Sequence, residues 1–378
     1  MTDRRSAGAG QGDAGGVTVL GAGIAGLACA LALARQGRPV RVVEQAARLA
    51  EVGAGIQIAP NGARVLDALG VDVPHIASEA LHLVDGPSGR TLLRAPLGPG
   101  FRLVHRADLV GALAASASAA GVRLAAGRRV LAIRPGALVT DRGPIPAAGR
   151  IVGADGVHGA ARAHVAPEHA PRFTGQVAWR ALVPLAMPWP HEAQVHVGRG
   201  RHIVLYPLRD GLTLNVVAVE ERAAWAAEGW SQRDDPANLR HAFRSFAEPV
   251  RALLQRVGTV YLWGLMDHGA TARWHRDDVT LIGDAAHPTL PFLAQGANLA
   301  LEDAWTLSRS LDDPEGWERR RRPRVERALE AAAANARRYH LAGPRRLAAH
   351  AALRLANRTA PGLPLRGYRW LYDHDATR

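Results

Sequence analysis

Only one cysteine, Cys29, occurs in 378 residues. An internal disulfide is therefore excluded, as is a cysteine-rich zinc site, and the chain suits a reducing cytoplasm. Lysine is absent: all 47 basic residues are arginine. The net charge of +13 invites a nucleic-acid reading, but the arginines are scattered apart from one run at 319–322, so none is expected. A positive surface does favour steering of small anionic substrates. No apolar run approaches the roughly 20 residues that a membrane-spanning helix needs, and the best, 27–34, is far too short. Residues 1–16 lack the apolar core of a signal peptide and read as a flexible tail. There is no GxSxG element and no HxxxH or HxxEH pairing, so neither a serine hydrolase nor a metal site is expected, even with His287 close to Asp284.

At 48% hydrophobic the chain can bury a sizeable core, and its length allows one large or two intertwined domains. Residues 17–20 are a β-branched run ending in Gly21; a helical stretch follows at 25–36, and a second apolar run, 40–43, ends in Glu44. This strand–turn–helix–strand unit opens a parallel sheet. A helix is expected over 61–69, a hairpin over 81–93 around Asp85-Gly86-Pro87-Ser88-Gly89, and an Ala-rich helix over 108–119. From about Pro171 the texture turns antiparallel, with runs at 195–197, 202–208 and 212–219 joined by Gly198-Arg199-Gly200 and Arg209-Asp210-Gly211. Residues 279–282 restore a parallel-strand texture, and beyond Leu299 the chain reads as helical, with no internal repeat. The order implies an α/β domain interrupted by an antiparallel one.

Three motifs carry the chemistry. Gly21-Ala22-Gly23-Ile24-Ala25-Gly26 is GxGxxG between a strand and a helix. Its glycines permit a tight turn, close approach of a pyrophosphate and close helix–strand packing, while the helix N-terminus supplies positive potential. Glu44, at the end of the second strand, stands where an acid binds ribose hydroxyls. Ile151-Val152-Gly153-Ala154-Asp155-Gly156 and Leu281-Ile282-Gly283-Asp284 each place a carboxylate at a strand end in a Gly-rich turn. After the latter come Gln295-Gly296-Ala297-Asn298-Leu299 and a helix whose acids, Glu302 and Asp303, are expected in its first turn, as the macrodipole prefers.

Taken together, and with Glu51-Val52-Gly53-Ala54-Gly55-Ile56, Thr174 to Arg180 and Trp370-Leu371-Tyr372, these motifs resemble the single-component FAD-dependent aromatic hydroxylases of the p-hydroxybenzoate hydroxylase fold. Within that group the chain is most similar to salicylate and 3-hydroxybenzoate hydroxylases and 6-hydroxynicotinate monooxygenase. The resemblance implies an α/β fold: a Rossmann-like FAD-binding domain of the GR2 type (17–80, 101–170, 264–320), interrupted by an antiparallel substrate domain (81–100, 171–263), with a C-terminal helical region (321–378). It implies that Gly21, Gly23, Ala25 and Gly26 cradle the pyrophosphate and that Glu44 meets the adenosine ribose. Arg106 would contact FAD, Val130 adenine, Asp284 the ribityl and pyrophosphate region, and Asp155 both FAD and nicotinamide. Gln57 would line the flavin, and the amides of Gly296, Ala297, Asn298 and Leu299 would face its pyrimidine ring.

The implied reaction consumes NADH or NADPH and O2 and hydroxylates a phenolic or N-heterocyclic, acidic ring through a flavin C4a-hydroperoxide. Such chemistry needs water excluded and a base that removes the phenolic proton, for which a histidine is suited near neutrality. His202 is the candidate, with Tyr206 four residues on and on the same strand face, and Gln295 as a substrate-facing amide. Family members acting on larger phenols carry a thioredoxin-like extension; none is seen in these 378 residues, so a compact enzyme for a small or medium substrate is expected, as a monomer or homodimer. Two other readings stay open here: tailoring of a larger secondary metabolite by hydroxylation or epoxidation, and a flavin-binding redox module without turnover.

Overall fold

The computed structural model describes residues 16–49, 54–147, 149–168, 171–223 and 232–378. The expected tail, apart from Gly16, and the start of the Glu51-Val52-Gly53 motif lie outside them. Gly16 itself is buried, so the tail reading does not extend to it.

Strand Val17–Leu20 pairs in parallel with Val40–Val43, which pairs in turn with Arg123–Ala125. On its other side the Leu20 carbonyl accepts the Ala154 N–H at 2.8 Å, setting Arg150–Gly153 alongside. That strand pairs in parallel with Val279–Leu281. Segments far apart in sequence thus end at one edge, where Gly21, Ala154-Asp155 and Gly283-Asp284 lie together. Helix Ile24–Ala34 is Ala- and Leu-rich all round and buried from Ile24 to Leu33, because it is packed on several sides.

The second layer is an eight-stranded sheet in the order Arg233–Asp234, Val260–Asp267, Arg172–Pro184, Thr213–Glu221, Arg201–Leu208, Glu192–Gly198, Ala80–Asp85, Thr91–Pro96. All neighbours are antiparallel except Glu192–Gly198 with Ala80–Asp85, which run parallel. Period-two alternation sorts its faces. Trp179, Ile203, Leu205 and Val216 pack with Leu239, Phe243 and Leu253 of the helical layer outside. Ala178, Val219, Trp263 and Leu265 face Phe292 and Ala336 on the inner side. Strand Val260–Asp267 runs unbroken through the domain boundary expected at 263/264, because its whole length is paired into this sheet.

Helix Pro314–Tyr339 opens on Asp313, whose Oδ1 accepts the Gly316 N–H at 2.9 Å, with Pro314 at its first turn. It runs straight across the boundary expected at 320/321, and the reason is electrostatic. Arg321, in the arginine run 319–322, points inward. Its Nε donates to Asp303 Oδ1 at 2.8 Å, and its Nη1 lies 2.6 Å from Glu302 Oε2. Arg324 reaches Glu302 Oε1 at 2.7 Å. Glu302 and Asp303 are fully buried in helix Gly296–Ser308, beyond its first turn rather than within it, because the helix begins as early as Gly296.

Burial alone would raise the Asp303 carboxyl, but His287 and Arg321 beside it hold it down at about 2. Its folded pKa lies below the unfolded value of about 3.9, so its stabilising contribution is present above that value and lost as pH falls through about 2. Asp303→Asn leaves Arg321 short of a buried partner and is expected to cost roughly 3–5 kcal/mol in urea unfolding at pH 7. The deficit against the native protein should narrow as the pH is taken below about 4.

Candidate functional site

The groove where the three strand ends meet has the shape of a dinucleotide cradle. Gly21 has φ +96°, and a Cβ there would stand 2.4 Å from the Ala154 carbonyl oxygen. A Cβ on Gly26 would fall 2.0 Å from the Gly21 oxygen. These two glycines are needed by the protein itself. Gly23 differs: a Cβ built there meets nothing within 4 Å, and the space it would fill is where a phosphate can approach the helix N-terminus. Ala25 is buried against Gly283. Glu44 accepts from the amides of Ala22 at 2.7 Å and Ala46 at 2.8 Å, which fixes its carboxylate beside the glycine turn.

Asp155 turns back on the N-terminus of helix Ala160–Val165, its Oδ2 accepting from Ala161 N at 2.9 Å. Its buried Oδ1 has no hydrogen-bond partner among the described residues. Burial pushes the carboxyl up to about 6 against these amide bonds, so the group is poised near neutrality. Asp284 is open to solvent at the strand end, with His287, Arg106 and Arg162 near enough to act on its charge. Arg106 is exposed at the start of helix Arg106–Ala119, and Val130 is half-buried at the start of strand Val130–Arg134.

The far end of the groove is formed by helix Gly296–Ser308. Leu299 N–H is the first to bond back, to the Gln295 carbonyl at 2.8 Å, which leaves the amides of Gly296, Ala297 and Asn298 without intrahelical acceptors. Asn298 acts through its side chain as a clamp. Its Oδ1 accepts from Ala59 N at 2.9 Å, and its Nδ2 donates to the carbonyls of Ala294 at 2.7 Å and Gln57 at 3.2 Å. It thereby ties strand Gly55–Ile58, with half-buried Gln57, to a loop in which Ala294 is held at φ +52°. Gln295 is turned inward: its Oε1 accepts from Asn61 Nδ2 at 3.0 Å, and only 2% of its surface is exposed.

His202 and Tyr206 both lie on the inner face of the large sheet, with Ile203 and Leu205 on the outer face. Tyr206 sits under strand Gly55–Ile58, where a Cβ on Gly55 would be 2.4 Å from its ring. Burial raises its phenol above the ordinary value, so it stays protonated. His202 is stacked among Phe292, Tyr339 and His340, with centroids 5.6, 5.0 and 5.0 Å away. Burial, then the neighbouring His340, lowers its pKa well below the usual value, so the ring is neutral at physiological pH. Half-buried Arg180 lies on the same inner face, over Trp263 at 5.6 Å. The sequence did not single out His340, Asn61, Arg321 or Arg324; no local pattern marks them, since each acts through partners distant in the chain.

These residues fit FAD: an open phosphate space over a glycine turn, an orphaned carboxylate oxygen and a helix N-terminus at the opposite end. Comparison with known proteins agrees. The model of the FAD binding domain family matches residues 15–321. The chain is 36% identical over 352 residues to 3-amino-4-hydroxybenzoate 2-monooxygenase of Streptomyces cremeus, spanning 86% of this chain and 88% of that one. It is 33% identical to 3-hydroxybenzoate 6-hydroxylase of Polaromonas naphthalenivorans, spanning 88% and 90%. Among solved structures, a salicylate hydroxylase substrate complex superposes with TM-score 0.79 at 22% identity over 96% of each chain, and Klebsiella pneumoniae HpxO complexed with FAD and uric acid gives 0.79 at 23% identity over 93% and 95%. The chain therefore belongs to the FAD binding domain family and is an FAD-dependent monooxygenase.

Proposed function

We propose that the enzyme uses NADH or NADPH and O2 to hydroxylate a small aromatic acid carrying a phenol or a hydroxylated N-heterocycle. The observation that carries this reading is His202, a neutral, enclosed imidazole 5.6 Å from Phe292, in the loop that leads to helix Gly296–Ser308. The relatives named for 3-amino-4-hydroxybenzoate, 3-hydroxybenzoate, salicylate and 6-hydroxynicotinate support the substrate class. So do Arg180 on the inner face and the net charge of +13.

Bound FAD supplies the two-electron chemistry and the reaction with O2. The rest falls to the protein. Gly21, Gly23, Ala25 and Gly26 take the pyrophosphate, Glu44 the adenosine ribose, Val130 the adenine, and Arg106, Asp155 and Asp284 the remaining polar edge. The free amides of Gly296, Ala297 and Asn298, followed by Leu299, would hold the flavin's pyrimidine edge and supply positive potential there. His202 accepts the substrate's phenolic proton and so enriches the ring for oxygen transfer. Tyr206, held protonated, donates to the substrate. Gln295 acts one step back, bracing Asn61 and the loop that covers the ring. Closure by Phe292 and Tyr339 keeps water out. Cytoplasmic location is part of the same reading.

The direct test is a panel of the four named aromatic acids, following NADH and NADPH oxidation and product mass. Acceleration by at least one acid, with one oxygen atom gained, is expected; oxidation indifferent to every acid tested would overturn the reading. Gly23→Ala should leave the unfolding temperature of the FAD-free protein unchanged while weakening FAD affinity about tenfold or more, whereas Gly26→Ala should destabilise the fold itself. His202→Ala should retain FAD and lower kcat by about 10²–10⁴, with partial recovery at alkaline pH, where the phenol ionises unaided.

A further inference from the structure

His202 does not end in the core. Its Nδ1 lies 2.8 Å from His340 Nε2, and His340 Nδ1 lies 2.8 Å from Glu221 Oε1. The line begins at a ring 2% exposed and ends at a carboxylate whose side chain is 54% exposed. Its members come from strand Arg201–Leu208, the end of helix Pro314–Tyr339 and the end of strand Thr213–Glu221.

The proton positions follow from what each atom can do. A carboxylate only accepts, so His340 carries its proton on Nδ1. Its Nε2 is then a lone pair and accepts from His202 Nδ1–H. That tautomer leaves His202 Nε2 bare, with no hydrogen-bond partner among the described residues. Gln176 Nε2 also approaches His340 Nδ1, at 3.3 Å, but the shorter bond to a charged acceptor dominates. The other groups packed on the line are Tyr339, kept protonated by burial, apolar Phe292, and Arg201, whose charge opposes protonation of His340. Arg201 is itself paired with Glu220 at 3.3 Å.

We propose that His340 and Glu221 form with His202 a proton exit from the substrate pocket to solvent, and that they set the tautomer in which His202 is a base. This rests on the reading of His202 as the phenol's acceptor. In the step, the phenolic O–H breaks and a proton bonds to His202 Nε2. The Nδ1 proton of His202 passes to His340 Nε2, the Nδ1 proton of His340 passes to Glu221, and Glu221 releases it to water. One proton leaves, no electrons move, and the path runs in reverse when product departs as a phenol. His340 and Glu221 touch no substrate and are positioning residues.

The experiment uses the FAD-loaded enzyme without NADH or NADPH, so that no turnover occurs. A phenolic acid from the panel is mixed in; phenolate absorbance and proton release to an indicator dye are followed against pH. In Glu221→Gln the new amide can donate to His340 Nδ1 and reverse the tautomer chain. The pH at which half the bound phenol is ionised should then rise by about one unit, a tenfold change. Proton release should slow about tenfold or more, and Glu221→Asp should restore much of both. His340→Asn should behave like Glu221→Gln. Unchanged ionisation and release in Glu221→Gln, with ionisation lost in His202→Ala, would overturn the exit path and leave His202 as the base. Ionisation persisting in His202→Ala would overturn both.

Discussion

Two adjacent carboxylates without solvent contact, Glu302 and Asp303, are the constraint on which the site depends. Neither side chain can be ionised in a dry interior unless cations are brought to it, since an unpaired buried charge costs several kcal/mol. The groups that answer them come from elsewhere in the chain. Arg321 and Arg324 come from the long helix, and His287 Nε2 approaches Asp303 Oδ2 at 2.5 Å from the loop after Gly283-Asp284. Asp303 also takes the Gly283 amide at 3.0 Å, and Glu302 takes Asn61 Nδ2 at 2.7 Å. Desolvation therefore works as a positional device. Helix Gly296–Ser308, the third glycine bend and helix Pro60–Ala68 must arrive together, and in arriving they place one end of the cofactor groove. A hydrophobic core of the same volume could match this in stability, but it would not dictate the register of these loops.

Sequence legibility divides along the range of the interactions. The glycine bends at 21–26, 153–156 and 283 are local: a turn that admits no Cβ, or a helix packed on a strand end, leaves its mark in adjacent residues. The exchange of parallel for antiparallel texture near Pro171 is equally local, because period-two patterning and Gly-bearing joints lie within single hairpins. Arg321 and Arg324 could not be read in the same way. An inward arginine differs from a solvated one only by the acid opposite, and those acids are some twenty residues off in a separate helix. His340 pairs with partners 138 and 119 positions away, beyond any periodicity. Glu302 and Asp303 satisfied a plausible local rule, acids near a helix start, while their actual role was tertiary.

Asn298 and Gln295 show a related shift of role. Both occupy positions that the family resemblance associates with the flavin and substrate, yet their side chains are spent on the protein. Asn298 joins Ala59, Ala294 and Gln57, and Gln295 meets Asn61. That expenditure has a purpose in physical terms. Every helix N-terminus leaves its first amides unbonded within the helix, but the chain before this one passes through Ala294 at φ +52°, an unfavourable shape for a residue with a Cβ. Buried amide side chains, each bonded at both ends, are what hold the backbone there.

The same long helix connects the cofactor end to His202. Arg321 and Arg324 anchor its first half to Glu302 and Asp303, and Tyr339 and His340 at its end pack on His202. At about 1.5 Å per residue, the stretch from Arg321 to His340 spans roughly 28 Å. The helix is tied again near its far end, where Asn335 Nδ2 lies 3.4 Å from the Phe292 carbonyl, in the loop that enters helix Gly296–Ser308. The path from carboxylate pair to helix, to Phe292 and back to helix Gly296–Ser308 is therefore closed. A closed path of packed groups leaves little freedom for His202 to move relative to the helix N-terminus. Reacting groups held on the two elements would need that fixed relation, because a displacement of about 1 Å between such groups costs orders of magnitude in rate. The ion pairs of helix Gly296–Ser308 and the imidazole on the large sheet thus belong to a single geometry.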